Sequence, residues 1–145
     1  MATVELLFSA LPEHVRTARL VAAAVARRAG VDEAVLDEVR LAVGEACTRA
    51  VGLHAGHGVT TPVRVVLIED EKKFSIEVGD DAPHLSAADA AAGGPGEASG
   101  APDEGEDDMG LAVISGLVDD VEVTADESGG LIRMSWPTIP APVLP

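Results

Sequence analysis

The sequence predicts an α/β protein, a two-layer sandwich in which helices cover one face of a mixed, mostly antiparallel sheet. Two observations predict it. A first strand is followed by two long segments with apolar residues at helical spacing. Further along, four β-rich segments are joined in pairs by short polar links, as in hairpins. Strands therefore outnumber helices, and 145 residues suffice for one domain with a single helical layer on the sheet.

The first half of the chain is predicted to hold one strand and two helices. Residues 3–8 alternate as a strand does. Pro12 suits the first turn of a helix, and apolar residues continue at helical spacing up to Gly30, a residue type that ends helices. Asp32 is the predicted N-cap of a second helix, which ends near Gly56–Gly58 because glycine is a poor helix former.

The second half is predicted to hold two hairpins and one short helix. The paired segments are Val63–Ile68 with Phe74–Val78, and Val121–Thr124 with Leu131–Trp136. The charged link Glu69–Lys73 joins the first pair, and Ser128-Gly129-Gly130 is the predicted turn of the second. Gly110–Leu117 has the composition of a short helix between them.

The domain organisation follows from composition. Residues 1–136 are predicted to form one domain, interrupted by a loop at 84–108 that is rich in alanine and glycine and contains no lysine or arginine. Such a segment buries too little apolar surface to offset its ordering entropy, so we expect it to be disordered. Residues 137–145 contain four prolines and are predicted to form an extended tail.

Charge and composition exclude several functions. The formal net charge is −15, which opposes binding to nucleic acid or to an anionic membrane. No apolar run approaches the roughly 20 residues that span a bilayer. Only 2% of residues are aromatic, so we expect a core of Val, Leu, Ile and Ala. A single cysteine excludes an internal disulfide and agrees with a cytoplasmic location.

Three segments, in order, resemble a known family. The second helix contains Glu45-Ala46-Cys47-Thr48-Arg49-Ala50-Val51, the strand at 74–78 runs into Gly79-Asp80-Asp81-Ala82-Pro83, and residues 109–118 read Met-Gly-Leu-Ala-Val-Ile-Ser-Gly-Leu-Val. Together they resemble the bacterial anti-sigma factor serine-kinase family, members of the GHKL (histidine-kinase-like) ATPase superfamily. The resemblance extends over residues 3–136.

The resemblance implies a GHKL, or Bergerat-type, ATPase fold in which the acidic loop 84–108 is a lid over ATP. It implies that Glu45 is the catalytic base, that the Asp80 carboxylate binds the adenine amino group, and that Gly110 and Leu111 contribute to the nucleotide site. The implied partners are a sigma factor and an anti-anti-sigma protein of the STAS type, which kinase members phosphorylate on serine. Members are commonly dimers, so a homodimer is also expected.

The second helix departs from the family pattern at Arg49, which occupies the place of an asparagine that holds Mg²⁺. A guanidinium has no acceptor atom and cannot coordinate a metal. Glu45 and Arg49 also lie four residues apart on one helical face, where they can pair. Such pairing would make Glu45 a poorer base.

The other two motifs also depart from the pattern. Ala82 replaces a glycine that allows the ligand to approach closely. Asp108 replaces the first glycine of the Gly-x-Gly motif, and its neighbours Glu106 and Asp107 add negative charge where a triphosphate would lie. We therefore expect weak binding of ATP and Mg²⁺ and a weak or inactive kinase.

The function predicted from these residues is that of an anti-sigma-type regulator that exchanges partners and has a decayed ATP site. The alternative is an active ATP-dependent serine-protein kinase, favoured by the retained Glu45, Asp80 and Gly110. In that case Arg49 would bind phosphate and replace the charge of the metal. A third hypothesis is a small-ligand sensor, with Arg49 as its only support.

Simpler interpretations of the same residues stay open. Glu45 and Arg49 can form an ordinary surface ion pair, and Asp80 can be a turn residue. Cys47 lies near the apolar stripe of its helix and is expected to be a buried apolar residue. His54 and His57 lie three apart, but no further ligands accompany them, so a capping or solvated role is expected and no metal site.

Overall fold

The computed structural model describes residues 2–83, 113–118 and 120–138. In chain order the elements are β1 (Ala2–Phe8), α1 (Pro12–Ala29), a 3₁₀ turn (Glu33–Val35), α2 (Leu36–His57), β2 (Val63–Glu69), β3 (Lys73–Asp80), β4 (Asp120–Asp126) and β5 (Gly129–Pro137). Residues 113–117 are helical. The predicted loop 84–108, the start of the predicted short helix at 110–112, and residues 139–145 of the predicted tail lie outside the described residues.

The described strands form one open sheet in the order β1-β2-β3-β5-β4. Every pairing among them is antiparallel, so the sheet is the antiparallel form of the predicted architecture. The two predicted hairpins are β2–β3 and β4–β5, and each predicted strand is found with one or two additional residues at its ends. β5 lies between β3 and β4, so the last described strand is an inner strand and β4 is at the edge.

The turn of the second hairpin differs from the prediction. Glu127 and Ser128 form the two-residue turn, while Gly129 and Gly130 already belong to β5. The Asp126 carboxylate closes the turn, because its Oδ1 accepts hydrogen bonds from the Ser128 backbone N–H at 2.8 Å and from the Ser128 hydroxyl at 2.7 Å. An aspartate that bonds two residues ahead is a common way to fix a tight turn.

α1 begins, and both helices end, at the residues that the sequence indicated, whereas α2 begins later than predicted. Pro12 is the first residue of α1, and Gly30 ends that helix in the left-handed conformation at φ 101°. Asp32 accepts a hydrogen bond from the Ala34 N–H at 3.1 Å. It thus caps the 3₁₀ turn, and α2 itself begins four residues later. Gly58, at φ 65°, ends α2, as glycine does at many helix C-termini.

One face of the sheet packs against α1 and α2, and the core lies between these two layers. Burial alternates along β2, as the period of two requires, whereas most residues of β3 and the second half of β5 are buried on both faces of the sheet. Alanines on the buried face of α1 let the helix approach closely. The predicted aliphatic core is incomplete, because all three aromatic residues of the chain, Phe8, Phe74 and Trp136, are also buried. The rings of Phe74 and Trp136 stack with centroids 6.4 Å apart.

No helix in the described part of the chain is long and apolar enough to cross a membrane.

Candidate functional site

Asp80 is the last residue of β3. Its side chain is on the same face of the sheet as those of Val78 and Ile76, which is the face that the helices cover. The residue is only 6% exposed. Its Oδ1 accepts a hydrogen bond from the Ala82 backbone N–H at 3.0 Å. The carboxylate that the resemblance assigns to base recognition is therefore buried and held within its own turn.

His54 connects this turn to the last turn of α2. The imidazole is fully buried, and its Nε2 accepts a hydrogen bond from the Asp81 backbone N–H at 2.9 Å. Its Nδ1 lies 3.0 Å from the carbonyl oxygen of Thr61. The Thr61 hydroxyl also donates to Asp81 Oδ2 at 2.6 Å. The expected capping or solvated role is wrong for His54, whereas His57 is exposed.

The start of β5 lies directly against the other side of the turn. Gly130 is paired with Asp80, and Gly129 has φ 157°. A Cβ atom added at Gly129 would overlap the Asp80 carbonyl oxygen. Glycine is therefore required here, because only a residue without a side chain allows the two backbones to approach so closely.

Ala82 is fully buried beside Asp80. Its methyl group occupies space that the glycine of the family pattern would leave open. A cavity of about 360 Å³ adjoins the same turn and is lined by Asp80, Asp81 and residues of the β4–β5 hairpin, and the predicted loss of nucleotide affinity stays a prediction.

Glu45 and Arg49 do not form the expected pair. Both lie one turn apart on α2 and are partly buried. No ion pair or hydrogen bond joins them within the described structure, although several other arginines there are paired. Arg49 Nε is buried and has no hydrogen-bond partner. The expected pairing of Glu45 with Arg49 is therefore not found, and among the described residues Arg49 has no ion-pair partner.

Glu45 instead lines a groove between α1 and α2. The groove has a volume of about 510 Å³, and its walls include Arg16, Arg19, Leu41 and Glu45. Leu41 is 54% exposed. The stem of Arg19 crosses α2 at Gly44, where an added Cβ would lie 2.8 Å from Arg19 Cδ. With Glu13 also in its lining, the groove combines two cations, two carboxylates and an exposed apolar side chain.

Only the last part of the third motif, residues 113–118, lies within the described residues. Asp108, Gly110 and Leu111 lie outside the described residues, so their predicted roles remain predictions. Ile114 and Val118, which follow them, are buried in the hydrophobic core. The helical turn at 113–117 is thereby fixed to the rest of the domain.

The donor set in the described part of the chain does not fit a metal ion. No group of three or more His, Cys, Asp or Glu side chains there could hold one, and the position that holds Mg²⁺ in the family pattern is Arg49. Cys47 is buried, and its burial raises the pKa of the thiol to about 12. A protonated thiol is a poor nucleophile and a poor metal ligand, so Cys47 is the buried apolar residue expected.

Sequence reasoning missed two features of this site. A signal for His54 was available, because this residue continues the apolar stripe that includes Val43, Cys47 and Ala50. A histidine in such a stripe is buried and must satisfy both ring nitrogens. No signal marked Arg16 and Arg19, since their position in a groove depends on how α1 packs on α2.

Comparison with solved structures agrees with this architecture. The chain is similar to a crystal structure of the RsbU and RsbW domains of Rv1364c from Mycobacterium tuberculosis, with a TM-score of 0.68 and 15% sequence identity. The match covers 97% of this chain and 33% of that one, so the chain spans about a third of the length of that protein. At this identity the likeness concerns the fold.

Comparison with curated proteins found no match. The family model described as histidine kinase-like ATPase domain matches residues 8–136, which include both helices, the buried Asp80 turn and β2 to β5 up to Trp136, but only the last residue of β1. The chain therefore belongs to the histidine kinase-like ATPase domain family.

Proposed function

We propose that the chain is an anti-sigma-type regulator that binds a sigma factor, an anti-anti-sigma protein of the STAS type, or both. In this proposal the partners exchange by competing for the chain, and no phosphate is transferred. The regulator acts in the cytoplasm, where a sigma factor is available. The family assignment and the resemblance of the three motifs support this class of function.

The main support for an inactive ATP site is the side chain of Arg49. A guanidinium offers donors only, so it cannot take the place of a metal-ligating amide oxygen. Its buried Nε has no partner, and Glu45 does not neutralise it. Its charge would also repel a cation at this position. Transfer of a phosphoryl group relies on metal ions to neutralise developing charge, and the Arg49 side chain supplies no ligand for one.

The groove between α1 and α2 supports the binding part of the proposal. Within the described structure Arg16 and Arg19 make no ion pair, and Leu41 is an exposed apolar residue beside them. Arginine and large apolar side chains at the centre of a patch are typical of residues that dominate protein interfaces. A segment of a partner that carries carboxylates and an apolar side chain would fit this groove.

Binding of purified sigma factors and STAS-type proteins from the source organism tests the proposal. We expect one sigma factor to form a complex and one STAS-type protein to displace it without ATP. Leu41→Asp should weaken binding by about tenfold or more, as truncation of a central contact does. Leu20→Asp is the matched control, because Leu20 is 57% exposed on α1 and does not line the groove. Equal effects of the two variants would contradict this use of the groove.

An active serine-protein kinase is the second candidate, since Asp80 is buried at the end of β3 and Glu45 is retained. Incubation with Mg²⁺, ATP labelled on its γ-phosphate and the STAS-type partner should then label a serine of that partner. Glu45→Gln should abolish the label while the complex still forms. A complex that forms without any label would exclude this candidate.

A further inference from the structure

A buried imidazole at the end of α2 joins three separate parts of the chain. His54 belongs to the helix, Thr61 to the connection between α2 and β2, and Asp81 to the turn that follows β3. The ring contacts Thr61 and Asp81 by one hydrogen bond each, and a further bond joins Thr61 Oγ1 to Asp81 Oδ2. These bonds form a closed triangle around a side chain that has no exposed surface.

The partners of His54 determine its tautomer. A carbonyl oxygen can only accept, so Nδ1 carries the proton that is donated to Thr61. A backbone N–H can only donate, so Nε2 offers its lone pair to Asp81. Both bonds together require the neutral ring with its proton on Nδ1, because a proton on Nε2 would face the Asp81 N–H.

We propose that His54 is a positioning residue that sets the orientation of the Asp80 carboxylate. The bond to the Asp81 N–H fixes the backbone immediately after Asp80. The next amide, that of Ala82, donates to Asp80 Oδ1 at 3.0 Å. The imidazole thus acts on the Asp80 carboxylate through two consecutive backbone amides, those of Asp81 and Ala82. Gly129 closes the opposite side of the turn through its contact with the Asp80 carbonyl.

This role differs from that of a residue that only fills space. A side chain that only fills space would contribute to the stability of the whole domain. Any side chain of similar volume and polarity could then replace it. A positioning residue acts through one bond, that from the Asp81 N–H to Nε2. The inference rests on the geometry of the turn alone and does not depend on the proposed partners or on nucleotide binding.

Two substitutions separate the two bonds of the ring. The amide nitrogen of His54→Asn reaches about as far as Nδ1 and can still donate to Thr61, but it leaves the Asp81 N–H without its acceptor. The longer side chain of His54→Gln reaches about as far as Nε2 and can accept from Asp81. His57→Asn is the matched control, because His57 is exposed on the same helix.

Amide hydrogen exchange of Asp81, measured against the core amide of Ile76, tests the proposal. We expect His54→Asn to speed exchange at Asp81 by about tenfold, the effect of one lost hydrogen bond. His54→Gln and His57→Asn should leave it within about twofold of the wild type, and the Ile76 amide should not distinguish the two His54 variants. Equal exchange at Asp81 in the two His54 variants, whether fast or slow, or faster exchange in His54→Gln, would overturn the proposal.

The wild-type protein supplies a second test that needs no variant. Long-range ¹H–¹⁵N correlation spectra at neutral pH should show His54 as the neutral Nδ1–H tautomer. A His54 ring that carries its proton on Nε2, or on both nitrogens, would overturn the proposal even if every variant failed to fold.

Discussion

Arg49 changes the chemistry of its position on α2 because it brings a positive charge and donors only. Within the described structure no carboxylate neutralises it, and its Nε is buried without a partner. A buried donor without an acceptor reduces stability by about 1–3 kcal/mol relative to one that is paired. The buried Nε of Arg49 is therefore not explained by a contribution to stability within the described structure.

Replacement of Arg49 tests this description. Arg49→Met keeps most of the apolar stem and removes the charge, so we expect unchanged stability or a gain of up to about 1 kcal/mol in the free energy of unfolding. Arg28→Met is the control, since Arg28 pairs with Glu69 at 3.1 Å and its loss should reduce stability by at most about 1 kcal/mol. Denaturant unfolding measures both. A clear loss of stability in Arg49→Met would reveal a stabilising contact of Arg49 and contradict the account.

Two glycines of the chain should respond in opposite ways to the same substitution. Gly129→Ala forces a Cβ into the Asp80 carbonyl, so we expect a loss of about 2–3 kcal/mol in the free energy of unfolding. Gly52 lies inside α2 with no atom within 4 Å of an added Cβ, and Gly52→Ala should add about 0.5–1 kcal/mol. Thermal unfolding of the two variants distinguishes them, and a harmless Gly129→Ala would disprove the close contact at the turn.

Cys47 should be inert in the folded protein. Its burial raises the pKa of the thiol from 9.0 to about 12, so the thiol is neutral below pH 9 in both the folded and the unfolded state. Between pH 9 and about 12 only the unfolded state loses the proton, and stability therefore falls as the pH rises through that range. At about pH 8 a thiol reagent should modify the native protein at least about a hundredfold more slowly than the denatured protein. Rapid modification of the native protein would contradict the burial.

At the scale of secondary-structure elements, the packing of α1 on α2 creates the groove. The two helices approach closely because α1 buries mainly alanines and α2 presents Gly44 beneath the stem of Arg19. The lack of a side chain at Gly44 leaves room for the stem of Arg19 on the facing helix. The walls of the groove thus depend on one small residue in the partner helix.

Gly44→Ala tests this dependence. The added methyl meets the flexible stem of Arg19, which can move away, and alanine favours the helix. We therefore expect stability to change by less than about 1 kcal/mol, while the affinity for the sigma factor or its antagonist falls by about threefold to tenfold. Gly52→Ala is the control on the same helix and should leave binding unchanged. Loss of binding in both variants would mean that α2 affects the partner by another route.

The sequence predicted features that depend on local signals and missed features that depend on contacts between separate elements. Strand alternation and the helix ends at Pro12, Gly30 and Gly58 are local signals, and they predicted the described strands and helices but not the 3₁₀ turn Glu33–Val35. The bridge from His54 to Asp81 joins residues 27 positions apart, and the groove arises from two helices in contact. Non-local contacts of this kind leave little trace in a single sequence. The Glu45–Arg49 pair was predicted from spacing alone, and spacing does not determine where two side chains point.

At the scale of the whole molecule, the net charge of −15 gives the few free cations particular weight. Arg27, Arg28, Arg40 and Arg133 are each within 4.0 Å of a carboxylate. Arg16 and Arg19, which both line the groove, have no ion pair in the described structure. Two of the cations that have no ion pair in the described structure thus lie together in the groove, where they can attract a carboxylate of a partner.

The loss of metal-dependent nucleotide binding is the central claim of this account, and calorimetric titration tests it most directly. ATP should be titrated into the wild-type protein with Mg²⁺ and again with a chelator, in a sample whose folding is verified by binding of a protein partner. We predict no saturable heat that depends on Mg²⁺ at ATP concentrations up to about 1 mM, a range that covers the usual affinities of enzymes for their substrates. Saturable binding at micromolar ATP that disappears with the chelator would contradict the account and identify a working ATP site.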